Sequence, residues 1–304
     1  MRTSTLLSLL LLALFAGNTH AEGKKKLILM AGRPSHPPRM HEFNAGVQLL
    51  AKCLKNVPDL QTEVILSGWP KDESIFDGAS AVVFYMDGGG GHEVVQENGR
   101  RQALVESWAK QGVGIGCMHY GVEVLADRGG AELKRWIGGH YENMFSCNPI
   151  WEPKFTTFPE HQITRGVKTF QIKDEWYFNM RFLSDIPGNK AEEVAGVKFT
   201  PILVDAPSDE VRNGPYVYPR GPYPHIQEAK GRGEAMMWSV ERPDGGRGFG
   251  FTGGHFHDNW ANDQFRKVTL NALVWLTKLP IPETGIESKL ADGDLEANLD
   301  PKKK

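Results

Sequence analysis

The 304-residue chain carries ten histidines, and their placement is uneven. His36 and His41 share one loop, and His92 follows a run of four glycines after Asp87. His119 closes an apolar run, and His255 and His257 flank Phe256 in a Gly-Gly-His-Phe-His stretch. Imidazole exchanges a proton near neutral pH and is the commonest neutral metal ligand. The His-x-His spacing of His255 and His257 is one that metal sites use, because on a loop the two rings can converge. The acidic group with comparable placement is Asp174-Glu175, followed directly by Trp176, Tyr177 and Phe178. A carboxylate beside aromatic rings suits a sugar, whose C–H faces stack while its hydroxyls hydrogen-bond; the competing reading makes Trp176 and Phe178 core residues. Asp87 and the glycines after it can offer backbone N–H groups to an anion. They lack the Gly-Lys-Ser/Thr ending of a phosphate loop, so they read as the rim of a site, and no nucleotide cofactor is expected.

His119 is the sharpest candidate. The segment from Gly116 to Gly121 reads as a strand-to-helix elbow, a turn that lifts one side chain above a sheet and backs it with helix N-terminal N–H groups. A nucleophile elbow would carry Ser or Cys at its apex; here the apex is histidine, and Cys117 lies two residues earlier in the strand. The alternative is that His119 only caps the next helix.

Such residues converge only if the chain places them at one edge. Apolar runs at Lys26–Gly32, Val64–Leu66, Ala81–Met86 and Gly112–Met118 read as buried strands, and helical spacing covers 42–57, 95–111 and 121–137. Strand–helix alternation with strands apolar on both faces predicts a doubly wound parallel sheet. In such sheets ligands bind outside the carboxyl ends of the strands. The loops after the first, third and fourth strands start at Gly32, Asp87 and His119. Residues 140–235 are richer in Pro, aromatics and short β-like runs, and read as a β- and loop-rich elaboration of the same domain. Strands return at Glu234–Glu241 and Gly248–Thr252, and Asp258 is placed to cap a helix running through Thr277. Residues 280–304 read as a polar, loosely packed tail.

Arg2, the Leu-rich run from Leu6 to Gly17 and Thr19-His20-Ala21 have the form of a signal peptide, so residues 1–21 are expected to be removed and the protein to be secreted or periplasmic. Nothing later is long and apolar enough for a membrane span, so no membrane insertion is expected after cleavage. A formal charge of −2, with dense basic runs only near the two ends, gives no nucleic-acid-binding face. Three cysteines, Cys53, Cys117 and Cys147, are too few for a disulfide-built scaffold and leave at most one bridge.

Taken together, Gly112 to His119, Asp174-Glu-Trp-Tyr177, and Gly248 to His255 followed by a helix ending at Trp275 resemble the ThuA-like, or trehalose-utilisation, family over residues 25–279. The resemblance implies a class I glutamine amidotransferase-like fold, with a flavodoxin-like doubly wound parallel sheet. It places His119 where an amidotransferase carries its cysteine, and it matches His255 and Glu175 to the family's Gly-His and its acid. Without Cys or Ser at the elbow the thioester route of glutamine hydrolysis is closed. The family's link to trehalose and keto-sugar catabolism implies a small carbohydrate partner. The expected chemistry is hydrolysis or elimination by His119, Glu175 and His255, with His36, His41, Asp87, Trp176, Tyr177 and His257 contacting substrate. Two versions stay open: His119, Glu175 and His255 hold a divalent metal such as zinc, or they act as a metal-free acid and base. The rival is a non-catalytic sugar-binding module on the same fold.

Overall fold

The computed structural model describes residues 23–183 and 196–302. The expected signal peptide lies outside the described residues. Seven strands form one sheet: β1 (Lys25–Ala31), β2 (Leu60–Ile65), β3 (Ala79–Tyr85), β4 (Gly114–Met118), β5 (Lys198–Asp205), β6 (Glu234–Glu241) and β7 (Arg247–Phe251). Their order is β5-β6-β7-β4-β3-β1-β2. The five from β7 to β2 are parallel, in the flavodoxin-type order, while β6 and β5 add an antiparallel edge.

Side chains alternate across a strand, so a strand buried on both faces must be apolar throughout. In β1, Leu27, Leu29 and Ala31 enter one core while Ile28 and Met30 enter the other. Helices α1 (Phe43–Leu54) and α4 (Asp263–Leu276) cover the first core, through residues such as Val47, Leu50, Phe265 and Val268. Helices α2 (Arg100–Lys110) and α3 (Gly130–Ile137) cover the second, through Val105, Leu133 and Trp136.

Three expectations change in detail. The helix expected from 121 starts only at Gly130, and His119–Val122 is a single 3-10 turn. Helix α4 is capped by Asn262, whose side chain accepts from the N–H groups of Gln264 and Phe265. Asp258 sits in the preceding turn and pairs instead with Arg39. The C-terminal segment is not loose. Ile281 and Ile286 are buried in the α1–α4 core, and Lys302 pairs with buried Glu42 and donates to the carbonyls of Met40 and His41. The segment thereby braces the loop that carries His41.

The mid-chain elaboration contributes β5 to the main sheet and three short antiparallel pairs. One of these pairs Ile150–Trp151 with Asp174–Glu175 and delivers Glu175 over the sheet's edge. The three cysteines are unpaired; Cys117 and Cys147 are buried. Among the described residues, no helix is long and apolar enough to cross a membrane.

Candidate functional site

Four segments that are remote in sequence deliver four side chains to one point at the carboxyl edge of the sheet. His41 comes from the loop after β1, His119 from the turn that follows β4 directly, His255 from the loop after β7, and Glu175 from the short strand pair. His41 Nε2 lies 3.0 Å from His119 Nε2 and 3.0 Å from His255 Nδ1, and the last two are 3.2 Å apart. Glu175 Oε2 is 2.7 Å from His255 Nδ1 and 3.8 Å from His119 Nε2. All four residues are buried. Three of the histidines here, His36 (φ 59°), His41 (φ 46°) and His119 (φ 51°), adopt the left-handed conformation that L-residues avoid. Such strain persists only where surrounding structure over-determines it, and it clusters at functional sites.

The outer partners fix which nitrogen carries each proton. His119 Nδ1 is 3.0 Å from the carbonyl of Thr252, which can only accept, so that nitrogen bears the hydrogen and Nε2 keeps a lone pair. His41 Nδ1 is 2.8 Å from the Asp87 carboxylate, which assigns its hydrogen in the same way. Burial, reinforced by the neighbouring rings, holds both imidazoles well below the usual histidine pKa, so both are neutral. Two lone pairs therefore face each other at 3.0 Å with no proton between them. That contact repels by itself and becomes attractive around a cation.

The dimensions suit one. Two nitrogens bound ~2.0–2.1 Å from zinc at the tetrahedral angle lie ~3.3 Å apart, so the trio needs only a small expansion. The second contacts match as well: metal-binding imidazoles hand their other N–H to a carbonyl or carboxylate, as His119 does to Thr252 and His41 to Asp87. Asn148 Nδ2 donates to Glu175 Oε1 at 2.8 Å, leaving Oε2 turned to the histidines.

His41, expected as a substrate contact, stands with His119, Glu175 and His255 in the buried cluster that could hold a metal ion. His36 stacks on His41 with ring centroids 3.5 Å apart and, with Asp87, forms the more open rim. Tyr177 lies beside the cluster, its hydroxyl 3.4 Å from His119 Nε2. Trp176 does not line the site. It is fully buried against Phe155, Phe251 and Phe265, because adjacent residues of an extended strand face opposite sides. His257 is buried outside the cluster among Arg39, Glu42 and Lys302, and burial lowers its pKa to about 4. His119 also lacks the helix N-terminus expected behind it; burial is what keeps it neutral.

Sequence reasoning missed a second wall. Glu123 Oε1 and the Tyr120 hydroxyl each lie 3.6 Å from where a Cβ on Gly89 would stand. Burial, then the charge of Glu175, pushes the Glu123 carboxyl up to about 8, so it is protonated at neutral pH. Tyr141 packs on Tyr177, and its buried hydroxyl has no hydrogen-bond partner among the described residues. A carboxyl four residues beyond His119 was the available signal for Glu123; Asn148 and Tyr141 offered none.

No curated protein matches the chain. Among solved structures, a ThuA-like protein from Bacteroides uniformis ATCC 8492 superposes with a TM-score of 0.55 at 12% identity, covering 86% of this chain and 95% of the other. A ThuA-like protein from Parabacteroides merdae ATCC 43184 gives 0.54 at 16% identity, covering 90% and 99%. These likenesses establish the shared fold. The sequence signature of the trehalose utilisation family, ThuA, matches residues 37–276, most of the chain, and with the fold and the predicted motifs in place the protein belongs to the ThuA family.

Proposed function

We propose that this ThuA-family protein is a metal-dependent enzyme acting outside the cytoplasm on a carbohydrate or keto-sugar derivative, by hydrolysis or elimination. One observation carries the reading: two neutral imidazoles aim their lone pairs at one point, His255 Nδ1 and Glu175 Oε2 meet them there, and all four residues are buried. His41, His119, His255 and Glu175 would hold the ion. A zinc-like cation bound there supplies Lewis acidity toward a substrate oxygen.

The surrounding residues have defined tasks. Glu123, kept neutral, can hand a proton to a departing oxygen, since a carboxyl titrating near 8 holds its proton at neutral pH yet gives it up readily. The Tyr141 hydroxyl, buried and unpartnered, offers a hydrogen bond to a substrate hydroxyl or carbonyl. Burial raises the Tyr177 phenol well above its usual pKa and keeps it a donor. Asp87 and His36 at the open rim suit a polyhydroxylated ligand.

The experiment is metal analysis of protein purified without chelator, paired with a screen of oxidised and unoxidised disaccharides. A stoichiometric divalent ion and metal-dependent turnover support the reading. Metal-free protein that binds a sugar without consuming it returns the binding-module alternative.

A further inference from the structure

Asp174 belongs to the Asp-Glu-Trp-Tyr motif, yet its carboxylate meets the cluster through main-chain N–H groups and not through the four converging side-chain atoms. Its carboxylate is fully buried and is held mostly by main chain, with the Asn259 side chain as a further partner. Oδ2 accepts from Gly254 N–H at 2.7 Å, and Oδ1 accepts from His255 N–H at 3.1 Å, Phe256 N–H at 3.3 Å and Glu175 N–H at 2.9 Å. From this we infer that Asp174 is a positioning residue that clamps the 252–257 loop to the Glu175 strand and so fixes His255 relative to Glu175. The inference rests on the metal reading for its consequence but not for the clamp itself.

The loop's other bonds show why one clamp matters. The Thr252 carbonyl orients the His119 ring, the His255 carbonyl accepts the His41 N–H at 3.0 Å, and the Gly254 carbonyl accepts the Tyr85 hydroxyl. Two of the three cluster segments outside the loop, those of His119 and His41, are therefore referenced to the loop's main chain, and Asp174 carries the link to the third, that of Glu175. The two glycines make this possible. A Cβ on Gly253 would stand 2.7 Å from the Trp176 ring, and Gly254 sits at φ +109°, where a side chain is strained. Gly253 lets the loop pack on Trp176, and Gly254 makes the left-handed turn from which the N–H groups of residues 254–256 converge on one carboxylate. This gives both sequence motifs one physical purpose: the acid of the first is the anchor of the second.

The test begins on metal-free wild-type protein by hydrogen exchange. The amides of Gly254, His255 and Phe256 should exchange as slowly as those of β7; exchange at exposed-loop rates overturns the clamp, whether or not any variant folds. In Asp174→Asn those three amides should lose protection at least about 10-fold while the β7 amides keep theirs. Zinc alone, titrated against a chromophoric chelator, should bind Asp174→Asn about 10- to 100-fold more weakly, the range usual for loss of an outer partner of a ligand. The visible spectrum of the cobalt-loaded variant should change. Leu50→Ala, a remote core variant, should keep wild-type zinc affinity and cobalt spectrum despite a lowered melt. Wild-type affinity and spectrum in Asp174→Asn would overturn the positioning role. Absence of zinc binding in wild type would overturn the metal reading, and the exchange data would still decide the clamp.

Discussion

Removing His119 should abolish the effect of zinc on stability while leaving the fold in place. The side chain stands at the end of β4, not within it, and its ring contacts are with the other ligands, Tyr177 and the Thr252 carbonyl. In the metal-free protein its Nε2 lone pair opposes that of His41 at 3.0 Å, so His119→Ala trades lost packing against relieved repulsion. The metal-free melt should therefore move by no more than about 1–2 kcal/mol, the ordinary range for a single substitution. Zinc at ~1,000 times its dissociation constant stabilises the native state by about 4 kcal/mol. In a domain of this size that raises the melt by roughly 8–16 °C, at about 2–4 °C per kcal/mol. With one of four ligands gone, the same zinc concentration should raise the variant's melt by only about 0–2 °C. The assay is a calorimetric or circular-dichroism melt with and without zinc on both proteins. An unshifted wild type, or a variant that keeps the full shift, refutes the lone-pair argument. A variant that collapses without metal makes His119 a structural cap.

Four further outcomes follow from the same geometry. His92 accepts the Val94 N–H on Nδ1 and faces the Gly121 carbonyl with Nε2, and full burial lowers its pKa from 6.5 to about 4. The unfolded chain therefore binds a proton that the native state refuses, and stability is lost as pH falls from about 6.5 toward 4, by up to about 3 kcal/mol from this residue. Urea midpoints measured across that window should fall, and less steeply in His92→Gln. Glu123 titrates in the opposite sense: its folded pKa of about 8 lies above the unfolded value, so its contribution is lost as pH rises toward 8. Carbon-13 NMR of the carboxyl should show it neutral at pH 7, and Glu175→Gln should lower its pKa; an ionised Glu123 at pH 7 removes it as a proton donor. Trp176→Ala should cost about 3–5 kcal/mol in urea unfolding, as a core aromatic does, and a silent variant would return Trp176 to the surface of the site. Exported protein should begin at Glu22, read by N-terminal sequencing; an intact Met1 rejects the signal-peptide reading.

The sheet was legible because its strands are short apolar runs buried on both faces, and that burial leaves little freedom in composition. Topology then put His119 and His255 at one edge before any distance was known. The elbow at His119 was also legible, but the helix behind it was not. The two glycines at 129 and 130 start α3 late, with Gly129 at φ +111°, and a bridged loop replaces the first turns. Trp176 and Tyr177 could not be separated by type, since both are aromatic; only their packing partners assign one to the core and the other to the site. The C-terminal segment looked unstructured because its described residues form no helix or strand, and its order comes from single long-range contacts such as Lys302 with Glu42.

The least legible feature was the role of His41, and the reason is physical. Its ring is set by a left-handed backbone, an N–H bond to the His255 carbonyl, a brace from Lys302 and the Asp87 carboxylate. None of these leaves a local pattern around residue 41. The same holds for the site as a whole. The ligand-bearing segments are referenced to the main chain of the 252–257 loop, and a carbonyl or N–H offers the same bond whatever side chain it carries. The geometry therefore depends on the cluster side chains, on the glycines of the loop, and on Asp174, which gathers the N–H groups. A short set of separated motifs on an otherwise ordinary α/β chain is what this construction leaves in the sequence, and it is also why His41 could be named from sequence as a site residue but not placed in the cluster with His119, Glu175 and His255.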